Sequence, residues 1–98
     1  MKVYHRTSAA EAILQHGFRD GEGCYMTATR WRGVWVSDQP LDENEGAWGD
    51  TVSTLDLPED VFVHHEWVQE GFRYREALIP ATVLNQYPRT VWEEPEES

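Results

Sequence analysis

Histidine, arginine, glutamate and tryptophan are the side chains in this 98-residue chain whose placement raises chemical questions. His5 and Arg6 end the β-rich run Val3-Tyr4-His5 and immediately precede a helical pattern, so an imidazole and a guanidinium sit at a strand–helix joint. His64-His65-Glu66 invites a metal reading. The run Val61 to Val68 reads as a strand, however, on which neighbours point to opposite faces, so the two imidazoles do not converge on one ion and no metal is expected. Cys24, the single cysteine, has nothing local to depress its pKa and reads as a small core residue. Gly21-x-Gly23 precedes a strand instead of a helix, which excludes a phosphate-cradling loop and the parallel dinucleotide fold built on it.

The elements that must position these residues are short. Ser8-Ala9-Ala10-Glu11 fits a capping box and Gly17 a left-handed C-terminal position, which predicts a helix over about residues 9–16 with Ala12, Ile13 and Leu14 as its apolar face. Cys24–Thr27, Val34–Ser37, Thr51–Leu57, Val61–Val68, Phe72–Ile79 and Thr90–Trp92 read as strands, with Gln69-Glu70-Gly71 as a turn between the fourth and fifth. Gln39 to Glu45 reads as a loop feeding a short helical turn. One helix followed by about six antiparallel strands gives an α+β domain over residues 1–92. The tail 93–98, with four carboxylates in six residues, is expected to be solvated and flexible.

Composition narrows the function classes. The formal charge of -10 disfavours a sequence-independent grip on phosphate backbones, which depends on Lys and Arg displacing counterions. One cysteine cannot form an internal disulfide and no apolar run spans a bilayer, so the expected setting is soluble and cytoplasmic, with no membrane partner. The five tryptophans exceed what so small a core needs, so some are expected to line a cleft.

In order along the chain, three segments resemble the motifs of the ADP-ribosyltransferase superfamily, in its poly(ADP-ribose) polymerase-like branch. Tyr4-His5-Arg6-Thr7-Ser8 with Ala12-Ile13-Leu14 and Gly17-Phe18 resembles the first motif. Gly23-Cys24-Tyr25-Met26 and Gly33-Val34-Trp35-Val36-Ser37-Asp38 resemble the next strand pair, and Tyr74-Arg75-Glu76-Ala77-Leu78-Ile79 the third motif. Arg6 stands where the family has glycine and Trp35 where it has tyrosine.

The resemblance implies a small split antiparallel β-sheet core with one capped N-terminal helix and a triad of His5, Trp35 and Glu76. It implies NAD as substrate, Glu76 stabilising the oxocarbenium-like ribose as nicotinamide leaves, and His5 positioning the adenosine ribose. Arg6 is expected to pair with the pyrophosphate, with Arg30, Arg32, Arg73 and Arg75 as further cations. Thr7 and Ser37 complete the NAD-binding set, and Trp35, Trp48 and Tyr25 are the rings for stacking. The expected function is transfer of ADP-ribose to an acceptor, more naturally a protein or small molecule than nucleic acid, or to water. A toxin-like or defence effector and a housekeeping modifier read alike. Two alternatives stand beside it: an RNA 2′-phosphotransferase-like enzyme that also uses NAD, and a non-enzymatic acidic inhibitor that imitates nucleic acid. In the enzyme, Glu76 lies in a concave pocket with aromatic rings; in the mimic, carboxylates spread over a convex face.

Overall fold

The computed structural model describes residues 1–25, 29–40, 49, 51–68, 71 and 73–92, with side chains 22–30 left aside. Ten elements follow one another: β1 (Lys2–Thr7), α1 (Ala10–His16), β2 (Gly21–Tyr25), β3 (Thr29–Ser37), β4 (Thr51–Asp56), α2 (Glu59–His65), β5 (Glu66–Trp67), β6 (Glu76–Ile79), α3 (Ala81–Leu84) and β7 (Arg89–Trp92). Six strands lie in the order β5-β6-β3-β1-β4-β7, every pairing antiparallel, and β2 forms a ladder with the first half of β3. The expected α+β domain with an antiparallel sheet is therefore found, with three helices among the described residues where one was expected.

The sheet has two unlike faces. Partners directly opposite in an antiparallel ladder point to the same side, and successive residues alternate. Val3↔Leu55, Val36↔Ala77 and Val34↔Ile79 thus define one face. Each of these side chains is buried, in one cluster with Ile13 of α1, Phe18, Phe62 of α2 and Leu84 of α3. The helices therefore cover this face and the core lies between them and the sheet. Tyr4↔Ser37, Ser37↔Glu76, Trp35↔Leu78 and Trp67↔Glu76 define the opposite face. On that second face Ser37, Val52 and Thr54 are buried, whereas Trp35, Trp67 and Glu76 are half-buried.

Helix α1 departs from its expected details. Its N-cap is Ala9 and no side chain caps it, so the Ser8–Glu11 box is not formed. Thr7 Oγ1 instead accepts from the Ala9 amide at 2.9 Å, one residue before the helix proper. Ala12 and Leu14 are exposed, and Ala10 and Ile13 are the residues it buries. Gly17 takes a positive φ, 89°, but with ψ 174° it is extended and not in the left-handed helical conformation expected of it.

The strand expected over residues 61–68 is a helix through His65. Val61, Phe62 and Val63 have strand propensity, but Pro58 at the N-cap and Glu59 and Asp60 in the first turn suit a helix start and its dipole. Burying Phe62 completely is worth roughly 1.5–3 kcal/mol, which outweighs a propensity difference of about 1 kcal/mol. Residues 73–75 of the expected fifth strand lie outside β6, which begins at Glu76. α3 begins after Pro80, with the Ala81 amide donating to Asp20 Oδ1 at 2.8 Å. No described helix is long and apolar enough to cross a membrane.

Candidate functional site

β1 and β3 are joined by a single registered pair, Tyr4↔Ser37, whereas β1 and β4 share a continuous ladder from Lys2↔Asp56 to Thr7↔Thr51. Beyond Tyr4 the two strands therefore part, and side chains bridge where backbone does not. His5 Nδ1 donates to the Trp35 carbonyl at 2.7 Å, which assigns the proton of the neutral ring to Nδ1. Ser37 Oγ spans the same join, 3.5 Å from the Tyr4 carbonyl, while donating to the Gln39 carbonyl at 2.6 Å.

Alternation along β1 places His5 on the helical face with Val3, where its ring meets the edge of Phe18 at a centroid distance of 5.8 Å. Burial holds its pKa below the ordinary value, against a smaller upward pull from the Trp35 carbonyl. The indole of Trp35 and the carboxyl of Glu76 stand on the other face. The expected triad is thus divided: Trp35 and Glu76 come together, and His5 reaches Trp35 through its backbone carbonyl.

Glu76 is half-buried, its carboxyl pushed above the usual carboxylate value by desolvation. No hydrogen bond or ion pair to its side chain is formed among the described residues. Its cross-strand partner is Trp67, whose ring meets Trp35 at 5.1 Å and 78°, and Trp31 meets Trp35 at 5.7 Å and 66°. Three half-buried indoles therefore lie on this second face beside a carboxyl that has no partner among the described residues. Trp67 was not singled out from the sequence; its importance depends on its pairing with Glu76, which no local pattern encodes.

Arg6 alternates onto this same second face. Its Nη1 donates to the Gly49 carbonyl at 3.3 Å. Gly49 is a point of close approach: φ is 126°, and a Cβ there would lie 2.2 Å from the Thr7 carbonyl carbon and 2.5 Å from its oxygen. Only glycine lets this segment touch β1 backbone to backbone.

The remaining expected residues fall elsewhere. Thr7 lies on the helical face with its hydroxyl engaged by Ala9, and the buried Ser37 hydroxyl is tied to backbone. Arg75 is a structural cation: it binds Glu66 through two hydrogen bonds, 2.8 and 3.1 Å, approaches Glu59 at 3.6 Å and lies 5.0 Å over the Phe62 ring. That pairing holds the Glu66 carboxyl below its ordinary value and raises the arginine pKa. Arg32 pairs with Asp20 at 3.4 Å, and Arg73 is exposed. Trp48 and the side chains of Tyr25 and Arg30 lie outside the described residues. His64 and His65 are helical neighbours with rings 4.9 Å apart, correcting the strand geometry expected for them. Among the described residues no group of three His, Cys, Asp or Glu is placed to hold a metal ion.

Support beneath the site comes from residues the sequence did not mark. Asn85 accepts from the Phe18 amide at 2.7 Å and donates to its carbonyl at 3.0 Å. Arg89 Nε donates to the Ile13 carbonyl at 2.6 Å near the end of α1. Ser53, opposite His5, is fully buried with no hydrogen-bond partner for its hydroxyl among the described residues. Comparison with known proteins adds no relative: no family model, no curated protein and no solved structure matches the chain.

Proposed function

We propose that the chain binds NAD on the sheet face that carries Trp35, Trp67 and Glu76 and transfers ADP-ribose to a nucleophilic acceptor or to water, in the manner of ADP-ribosyltransferases. The observation that carries this reading is the half-buried carboxyl of Glu76, without a partner among the described residues, beside the Trp35–Trp67 ring pair, with Arg6 on the same face. An aromatic ring suits nicotinamide, and a guanidinium suits the pyrophosphate. A carboxylate in a poorly solvated place stabilises positive charge developing on ribose far better than one in water.

In the proposed step the bond from ribose C1′ to the nicotinamide nitrogen breaks, and its electron pair leaves with neutral nicotinamide. The acceptor oxygen or nitrogen then bonds to C1′ and gives up its proton. Glu76 acts ionised, so turnover rises with pH through its elevated pKa. His5 carries no ligand in this scheme. It is a positioning residue that fixes the backbone of Trp35.

Incubation with NAD and measurement of released nicotinamide is the direct test, with Glu76→Ala alongside. Release by the parent chain, reduced at least about a hundredfold in the variant, is expected for loss of a charge-stabilising group. A parent chain that neither binds nor cleaves NAD ends this reading. The acidic-inhibitor alternative is less well supported: Glu66, Glu59 and Asp20 are engaged by Arg75 and Arg32.

A further inference from the structure

The pair Trp67↔Glu76 sets an indole and a carboxyl directly opposite each other on neighbouring strands, a spacing of about 4.5–5.5 Å between Cβ atoms. A flat ring resting against the Trp67 indole therefore comes within reach of the carboxylate. Trp35 stands nearly perpendicular to Trp67, 78° between ring planes, so the two indoles make a corner with two walls.

Charge is the unusual part of this corner. Glu66 and Asp20 each have an arginine, yet Glu76 has no ion pair or hydrogen bond among the described residues although it is half-buried. A partly desolvated carboxylate without a partner is unfavourable, and a bound cation relieves that cost. Indole faces attract cations through their quadrupole, and the -10 chain draws cations toward it. A neutral ring of the same shape gains only stacking and contact area.

We infer that Trp67, Trp35 and Glu76 form a charge-selective corner for a planar organic cation of the N-alkylpyridinium type, with Trp67 as the specificity-determining residue. The identity of the heterocycle rests on the NAD reading above; the preference for charge over shape does not. The corner takes the oxidised, cationic ring and discriminates against a neutral ring of the same outline.

The test uses 1-methylnicotinamide and nicotinamide as probes, titrated at pH 8 into the 15N-labelled full chain while the tryptophan side-chain N–H signals are followed. The cation is expected to shift the Trp67 and Trp35 signals with roughly tenfold higher affinity than the neutral probe. Trp67→Leu should remove that gap with the remaining signals undisturbed, Trp67→Phe should keep most of it, and Glu76→Gln should narrow it. Equal affinities in the parent chain, or a gap that survives both Trp67→Leu and Glu76→Gln, overturns the inference. Selective cation binding by a chain that leaves NAD intact sinks the transferase reading alone. NAD cleavage with no charge preference sinks this inference alone.

Discussion

Replacing Gly49 by alanine tests whether the contact between its segment and β1 is as tight as the geometry states. A Cβ at this position would lie 2.2 Å from the Thr7 carbonyl carbon and 2.6 Å from its Cα. Both are backbone atoms of a strand held by the β1–β4 ladder, so no side chain can rotate out of the way. To reach even 3.0 Å the two backbones must separate by about 0.8 Å. The Arg6–Gly49 hydrogen bond, already 3.3 Å, does not survive that movement. Two costs add: backbone strain at φ 126°, about 1–3 kcal/mol, and overpacking, about 1–3 kcal/mol. Gly71 is the internal control, with φ 85° but open space around the added methyl, so only the strain, about 1–2 kcal/mol, applies there. Urea denaturation should give a Gly49→Ala loss of about 2–6 kcal/mol against about 1–2 for Gly71→Ala. In a thermal melt each kcal/mol lowers Tm by about 4–8 °C. Equal losses at the two glycines would refute the close-approach argument and release Arg6 from its assigned anchor.

Two further outcomes follow from charge and clamping. The folded Glu76 pKa lies above its unfolded value, so the native state holds more protons in that window and stability falls as pH rises through it. Glu76→Gln should therefore raise Tm at pH 7, with the advantage vanishing below the unfolded pKa of about 4.5. Glu66 has the opposite sign: Arg75 depresses its pKa, so its contribution is present above the unfolded value and is lost as pH falls through the folded one. Glu66→Gln should cost about 1–2 kcal/mol at pH 7 and nothing in strong acid. Melts of both variants from pH 3 to 8 check the two signs. Asn85→Ala removes both bonds to Phe18 and should cost about 1–3 kcal/mol in urea denaturation, together with a shift in the His5 ring signals through the Phe18 contact.

Much of the frame was legible in the chain because local chemistry encodes it. Gly17 needed a positive φ, and the strands at Val34–Ser37 and Thr51–Asp56 follow from β-branched runs bounded by turn residues. Helix α2 was misread because Val61-Phe62-Val63 carries strand propensity, although Pro58-Glu59-Asp60 is a helix-start signal that outweighs it. His5 shares its parity with the apolar Val3, a clue that it faces the core. Motif order alone hides that parity. Trp67 and Asn85 escaped because their partners are distant in sequence: Asn85 lies 67 residues from Phe18, and the role of Trp67 depends on strand register.

The parting of β1 from β3 has a mechanical meaning. One side of the sheet is β1, β4 and β7 and the other is β2, β3, β6 and β5, with one registered backbone pair, the His5 strut and the Ser37 hydroxyl across the join among the described residues. Such a seam is where a domain opens with the least cost, so hydrogen exchange should divide the molecule into two cooperative units along it. Arg6 belongs to one unit, and Trp35, Trp67 and Glu76 to the other. A ligand that touches both sides would act as a staple, slowing exchange across a join that the shared core and the His5 strut otherwise hold alone.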